Sequence, residues 1–239
     1  QDRLVFKDEK NPLHFHSVGT SDDETMLILY ASGQGLGNAV KVKDLTKPSA
    51  GWVTVEPSQD YEISILDVVG ETMYIYTNYG APRYRLMTAD KKAPQRENWK
   101  EFIPEGEGVL TSVSFADNKM ILGYDKDASN RLYVYTLDGE LVREMELPTY
   151  GSAGISSSKK HAEVFYAFTS FTYPTAIYRY DLASGESTLF KAVEIDGFNM
   201  DDYVTEQVFY PSTDGTKIPM FLTYKKGLER NGKNPVYLY

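Results

Sequence analysis

A pattern of short apolar strands recurs at a nearly constant interval along most of the chain. Four segments that begin near Met26, Met73, Met120 and Val164 each contain one strand-like run followed by another. These four positions lie 47, 47 and 44 residues apart. A repeat of roughly 40–50 residues with several short strands is typical of a β-propeller, in which every repeat forms one four-stranded blade.

Each repeat has room for four strands, which gives sixteen predicted strands between residues 13 and 193. Asp138-Gly139 and Ser184-Gly185 follow third strands, where a tight hairpin needs residues of this type. One helical candidate, residues 91–99, is interrupted by Pro94. The sequence therefore predicts an all-β fold, with an incomplete propeller of about four blades over residues 1–195. Leu4–Phe6 is predicted to be the end of a strand from a preceding blade.

A β-hairpin is predicted beyond the repeats. Val204–Tyr210 and Lys217–Tyr224 are strand-like, and the Asp214-Gly215 pair between them is a strong hairpin signal. Pro219 suggests an edge strand or a bulge. Residues 196–239 are therefore predicted to be a linker and the first strands of another domain. We expect this hairpin to be poorly ordered or to pack against the incomplete ring.

Composition excludes several classes of function. The net charge is -9, with 25 basic and 34 acidic residues, which argues against nucleic acid as a partner. The sequence contains no cysteine, so disulfides, thiol catalysis and cysteine-bound zinc are excluded. No apolar run reaches the roughly 20 residues that a membrane-spanning helix requires, and no membrane partner is expected.

Several long phrases resemble one enzyme family. The phrases are "YTNYGAPRYRL" (76–86), "FYAFTSFTYPTAIYRYDL" (165–182) and "VFYPSTDGTKIPMFLTYKKG" (208–227), the last followed by "NPVYLY" at residues 234–239. In this order they resemble the prolyl oligopeptidase (prolyl endopeptidase) family, where the β-propeller leads into the α/β-hydrolase domain. The resemblance implies four blades of a seven-bladed propeller, followed by the first strands of the hydrolase domain.

The resemblance also implies a function. The family are serine peptidases that cleave short peptides after proline, and the propeller covers the catalytic domain and excludes large folded substrates. The implied partners are the protein's own hydrolase domain and short proline-containing peptides. No metal or organic cofactor is implied. The sequence is compatible with a location in the cytoplasm or in the periplasm.

Catalytic residues cannot be assigned within these 239 residues. A hydrolase nucleophile elbow requires Gly-x-Ser-x-Gly, and the nearest candidates, residues 151–154 and 154–158, fail this spacing. We therefore expect the parent protein to be a serine-type prolyl endopeptidase and these residues alone to be inactive. The incomplete ring would leave unpaired strand edges, so an edge-mediated oligomer is also expected.

The loops between second and third strands are the candidate functional sites, because in a propeller they share one face, which the resemblance directs toward the hydrolase domain. These loops are Ser32–Asn38, Asn78–Arg83, Asp125–Asn130 and Ser170–Pro174. The residues expected to contact substrate or the catalytic domain are Asn78, Tyr79, Arg83, Phe171 and Tyr173. The alternative interpretation is that these residues only shape the turns.

Three other motifs are explained by simpler structures. Gly33–Gly37 imitates a phosphate loop, but no helix follows it, so a flexible blade loop is predicted. Asp125–Asn130 begins like a calcium loop but lacks the required glycine and glutamate, so a solvated hairpin is predicted. His14 and His16 share a strand face, but no third metal ligand is evident.

Two other functions remain compatible with the repeats. A non-enzymatic propeller scaffold that binds a protein or peptide is the first, but the hairpin after the blades has no purpose there. The second is the propeller of a related dipeptidyl or acylaminoacyl peptidase, although the long phrases match prolyl oligopeptidase.

Overall fold

The computed structural model of the chain describes residues 4–239. Apart from two one-turn 3₁₀ helices, at Arg96–Asn98 and Met200–Asp202, the regular elements of these residues are strands. The strands form four antiparallel sheets of four strands and one sheet of two strands. The predicted all-β fold is confirmed, and the helical candidate at residues 91–99 is reduced to the first 3₁₀ turn.

The described residues divide into two compact units, and the N-terminal unit extends to Leu110. Its first sheet contains β1 (Phe15–Thr20), β2 (Met26–Ser32), β3 (Ala39–Asp44) and β4 (Val53–Glu56). Its second sheet contains β5 (Ile63–Val69), β6 (Thr72–Thr77), β7 (Arg85–Asp90) and β8 (Lys100–Ile103). Each strand pairs with the one before it in the chain, as expected for strands joined by short connections.

The core of the N-terminal unit follows from the two-residue period of the strands. Val40 and Val42 in β3 are both buried, and the lysines between and after them are half-buried. They pack in one cluster with Ile63 of β5, and with Met73 and Ile75 of β6. The two sheets therefore share one apolar interior, because alternate side chains of each strand point to the same face.

The C-terminal unit begins at Thr111, within β9. Its first sheet contains β9 (Val109–Ala116), β10 (Lys119–Lys126), β11 (Ser129–Thr136) and β12 (Leu141–Met145). Its second sheet contains β13 (Ser152–Ser156), β14 (Glu163–Thr169), β15 (Ala176–Asp181) and β16 (Ser187–Ala192). The core between these sheets includes Ile121, Val134 and Phe168, and the rings of Tyr166 and Tyr178 stack within it at 5.0 Å.

The predicted C-terminal hairpin is present and belongs to the C-terminal unit. It consists of β17 (Tyr203–Pro211) and β18 (Lys217–Lys225), which pair antiparallel along their whole length. Gly215 has φ of 84° in the turn, a conformation that residues other than glycine rarely adopt. Gly139 and Gly185, in the two predicted outer hairpins, have φ of 86° and 82°.

All sixteen predicted blade strands are present, but the prediction for Leu4–Phe6 is wrong. Residues 4–8 have no regular structure. The Phe6 ring instead contacts the rings of His16 and Trp52, at 5.4 and 5.7 Å. An apolar run forms a strand only where a neighbouring strand offers its backbone groups, and within the described residues none does so here.

Candidate functional site

The connection between β6 and β7 carries three of the predicted site residues, and the first of them, Asn78, is held by backbone bonds. The Asn78 side-chain oxygen accepts from the Glu62 amide at 2.9 Å, and the Asn78 amide donates to the Glu62 carbonyl at 3.4 Å. The Asn78 carbonyl accepts from Ala81 at 3.0 Å. Asn78 thus ties its loop to the start of the second sheet, which agrees with the turn-shaping interpretation.

Tyr79 lies in a cage of aromatic rings and cations. Its ring meets Tyr61 edge-on at 4.9 Å and Trp99 edge-on at 6.4 Å. The guanidinium groups of Arg96 and Arg85 lie 4.8 and 5.9 Å from its centre. A ring face is negatively polarised, so it attracts these cations. Tyr79 is therefore fixed by its neighbours and half-buried.

Arg83 connects the same loop to the segment that leads into β9. Its backbone amide donates to the Glu105 carboxylate at 2.6 Å, and its guanidinium donates to the Glu107 carbonyl at 2.9 Å. Its carbonyl accepts from the Leu110 amide at 2.9 Å. Arg83 is exposed, so its side chain remains accessible to a partner.

Tyr84 is the last residue of this loop and has an unusual backbone conformation. Its φ is 65°, which is rare for a bulky residue and is maintained only where the surroundings fix it. Its ring stacks on Tyr76 at 4.7 Å, and its hydroxyl donates to the Glu62 carboxylate at 2.8 Å. Burial, reinforced by the bond to Glu62, raises the pKa of the Tyr84 phenol. The phenol therefore stays protonated and keeps donating at neutral pH.

The connection between β14 and β15 carries the other two predicted residues. The Tyr173 hydroxyl lies 2.6 Å from the Tyr178 hydroxyl, and its ring meets Phe168 edge-on at 5.6 Å. Burial, reinforced by the bond to Tyr173, raises the pKa of the Tyr178 phenol, so the Tyr178 phenol stays protonated at neutral pH. Phe171 is 63% exposed, and its ring lies 5.8 Å from Phe221 of β18.

The predicted residues thus form two groups. Asn78, Tyr79 and Arg83 lie on one loop of the N-terminal unit, and Phe171 and Tyr173 lie on one loop of the C-terminal unit. The residues that hold these loops were not predicted, because they are distant in the chain and carry no motif. These residues are Glu56, Tyr61, Arg85, Arg96 and Phe221. A contact role for the five predicted residues stays a prediction.

The glycine-rich loop at Gly33–Gly37 ends against the segment that precedes β5, and its predicted flexibility stays a prediction. The Gly37 amide donates to the Gln59 carbonyl at 2.8 Å, and the Asn38 amide donates to the Tyr61 carbonyl at 3.0 Å. A Cβ atom on Gly37 would lie 1.8 Å from the Tyr61 carbonyl oxygen. Gly35 and Gly37 therefore permit a close approach of two backbone segments.

Gly37→Ala is therefore expected to destabilise the N-terminal unit by about 1–3 kcal/mol. The added methyl group must displace the backbone of Tyr61, because the atoms that it meets belong to the backbone and not to a side chain that could rotate away. Urea denaturation followed by tryptophan fluorescence measures the loss. Gly51→Ala is the control, since its Cβ would meet nothing within 4 Å. Equal midpoints for the two variants would contradict the close approach.

The other two motifs are a hairpin and a pair of histidines. The Asp125–Asn130 segment is a tight hairpin in which only Asp127 and Ala128 lie between strands, so the solvated hairpin is confirmed and the predicted loop is shorter. The Gln59 side-chain amide nitrogen lies 3.2 Å from His14 Nδ1, which accepts its hydrogen bond, and His16 contacts Phe6. Among the described residues, no three histidine or carboxylate side chains are grouped to bind a metal.

Across residues 4–239, neither helix is long and apolar enough to span a bilayer.

Comparison with known proteins identifies the family of the chain. The family model "Prolyl oligopeptidase, N-terminal beta-propeller domain" matches residues 1–193. The prolyl endopeptidase of Elizabethkingia meningoseptica is 35% identical over 240 residues, which cover 100% of this chain and 34% of that protein. The prolyl endopeptidase of Dictyostelium discoideum is 36% identical over 259 residues and covers 99% of this chain and 34% of that protein.

A solved structure gives the same result. Prolyl oligopeptidase B from Galerina marginata, as the apo protein, superposes with a TM-score of 0.86 at 27% identity. The match covers 96% of this chain and 34% of that chain, so this sequence spans about a third of the length of its relatives. The chain belongs to the prolyl oligopeptidase family, and its residues 1–193 match the N-terminal β-propeller domain of that family.

Proposed function

We propose that this chain is the access-controlling propeller of a serine-type prolyl oligopeptidase that cleaves short peptides after proline. The observation that carries the proposal is the match of the propeller family model to residues 1–193, continued in the relatives through the hairpin to residue 239. A propeller that acts alone as a binding scaffold would not need that hairpin. None of the 239 residues forms a nucleophile elbow, so this region contributes access control and not acyl transfer.

The number of blades, the domain boundaries and the partners are part of the same proposal. The four four-stranded sheets are four blades of a seven-bladed ring within residues 1–195, and residues 196–239 are a linker and the first strands of an α/β-hydrolase domain. That domain is the propeller's partner, and short proline-containing peptides are its substrates. The ordered loops support a selective passage: Asn78 and Arg83 each bond to backbone groups of a neighbouring segment. Phe171 contacts the hairpin that would begin the hydrolase domain.

A peptidase assay tests the proposal. The 239-residue chain and its C-terminally extended form are compared on a short chromogenic peptide whose scissile bond follows proline. Only the extended form is expected to release the chromophore, and its activity on a large folded protein containing proline should be negligible, because a propeller passage restricts access.

Two results would overturn the proposal. Cleavage by the 239-residue chain alone would mean that it contains the nucleophile. No cleavage by either form would favour a binding scaffold.

A further inference from the structure

The segment that follows β18 contains the only Asn-Gly pair of the sequence, Asn231-Gly232. Residues 226–233 are exposed and lie outside the strands and helices. Gly232 has φ of 77°, and a Cβ atom on it would meet nothing within 4 Å. Both residues are therefore open to water, and the missing side chain of Gly232 leaves room for a reaction between the Asn231 side chain and the backbone that follows it.

The Asn231 side chain is turned toward that backbone. Its carbonyl oxygen accepts a hydrogen bond from the Lys233 amide at 3.0 Å. The Gly232 amide lies between the two bonded groups in the chain, and among residues 4–239 no hydrogen-bond acceptor lies within reach of it. An electrophilic carbon and an unpaired amide nitrogen are thus held in one short turn, and such proximity accelerates an intramolecular reaction.

The Lys233 amide is also placed to stabilise this reaction. Attack on the Asn231 side-chain carbonyl moves negative charge onto Oδ1, and a donor that is already bonded to this oxygen stabilises the charge, as in an oxyanion hole. The turn is anchored on both sides. Arg230 pairs with the Glu206 carboxylate of β17, and the Asn234 side-chain amide donates to the Glu229 carbonyl at 2.7 Å.

We propose that Asn231 is a self-modification site, at which the Gly232 amide nitrogen converts the asparagine to aspartate and isoaspartate. The nitrogen gives its proton to a base in solution and forms a bond to Asn231 Cγ, while the side-chain nitrogen leaves as ammonia. Water then opens the resulting succinimide ring. Opening at one carbonyl gives aspartate, and opening at the other gives isoaspartate, in which the main chain runs through the former side chain. The product carries an additional negative charge.

The other asparagines lack this combination. Asn234 is followed by Pro235, whose nitrogen has no proton to lose. Asn130 lies in β11, and its side-chain amide donates to the Asp125 carboxylate. Each of the remaining asparagines precedes a residue whose side chain hinders the attack. The reaction should therefore be confined to Asn231.

Peptide mapping of the 239-residue chain tests the proposal. The chain is incubated at mildly alkaline pH and digested with a protease that cleaves after lysine, which releases residues 227–233 and 234–239 as separate peptides. With time, the first peptide should be replaced by two isomers whose mass corresponds to the exchange of an NH₂ group for OH. The second peptide contains Asn234 and is the internal control, which should stay unchanged.

Two variants identify the reacting atoms. Gly232→Ala is expected to slow the conversion at least about tenfold, because the added methyl group hinders ring closure and disfavours the positive φ. Asn231→Gln should abolish it, since the longer side chain would have to form a larger ring. Both changes lie in an exposed segment, so circular dichroism should stay that of the parent chain. Equal rates for the parent chain and Gly232→Ala, or for Asn231 and Asn234, would overturn the proposal.

A comparison with a peptide isolates the contribution of the fold. An end-capped synthetic peptide of residues 227–233 keeps the Asn-Gly pair but lacks the anchors to Glu206 and Asn234. We expect the folded chain to react at least as fast as this peptide, because the Lys233 amide is already bonded to Asn231 Oδ1. A markedly slower reaction in the folded chain would show that the fold protects Asn231, and would overturn the assignment of this site.

Discussion

Replacing Arg96 by methionine is expected to destabilise the N-terminal unit by about 3 kcal/mol. The Glu56 carboxylate is completely buried, and it accepts from the Arg96 guanidinium at 2.7 Å and from the Ser58 amide at 2.8 Å. Methionine keeps the length of the side chain but removes the positive charge. One backbone bond then remains for a buried carboxylate, and a buried charge without its partner costs several kcal/mol.

The substitution should also loosen the predicted site. The Arg96 guanidinium lies over the Tyr79 ring, so Tyr79 loses one of its two cations. Trp99 lies edge-on to the same ring. We therefore expect the tryptophan fluorescence of the folded variant to change along with its stability.

Urea denaturation followed by tryptophan fluorescence measures this prediction. Trp52 and Trp99 are the only tryptophans in the sequence, and both lie in the N-terminal unit. Lys47→Met is the control, because it removes an exposed ion pair with Asp44 and should change the free energy of unfolding by less than about 1 kcal/mol. Adding Glu56→Leu to Arg96→Met should recover much of the loss, since no buried charge is left unpaired. Equal losses for Arg96→Met and Lys47→Met would contradict the role of the pair.

Phe168→Ala is expected to destabilise the C-terminal unit by about 3–5 kcal/mol. Phe168 is completely buried in β14, where it packs in the core between two sheets and meets the Tyr173 ring edge-on. Truncation removes the transfer free energy of the ring and leaves a cavity that close-packed neighbours fill only in part. Tyr173 loses a packing partner, so the loop that carries Phe171 should also become less ordered.

Hydrogen exchange detected by mass spectrometry suits this unit, which has no tryptophan. We expect faster exchange in β14 and β15 of the variant, and faster exchange in residues 170–174. Phe190→Ala is the matched control: it is in β16 of the same sheet, its side chain is 64% exposed, and its ring pairs with Phe165 at 5.2 Å. It should cost about 1 kcal/mol at most. A similar exchange pattern for both variants would show that Phe168 does not hold the core.

The repeat could be predicted from the sequence because strand structure depends on residues that are close together in the chain. A period of two places alternate residues such as Val40 and Val42 on one face, and the chain must bury that face. The turns at Gly139 and Gly185 were predictable for a similar reason, since a positive φ favours glycine at a fixed place. Even so, the apolar residues Leu4–Phe6 were predicted wrongly, because strand formation also needs a pairing partner.

Site residues were predicted less completely than strands. The loop that carries Asn78 and Tyr79 could be selected from the sequence, yet its anchors lie elsewhere: Arg96 follows β7, and Tyr61 precedes β5. The Gly33–Gly37 loop shows the same limit. Glycine is compatible with flexibility and with close approach, and only the position of the Tyr61 carbonyl shows the close approach at Gly37.

The blade-like repeat, the two outer hairpin turns and the C-terminal hairpin could all be predicted from the amino-acid pattern, because hydrophobic period and turn chemistry act between residues that are close in the chain. The folded structure was needed to show that Arg96 pairs with Glu56 and covers Tyr79, and that Phe221 lies between Tyr150 and Phe171. These contacts join residues about 17 to 70 positions apart. Their existence depends on which strands pair and in which register, and no local pattern carries that information.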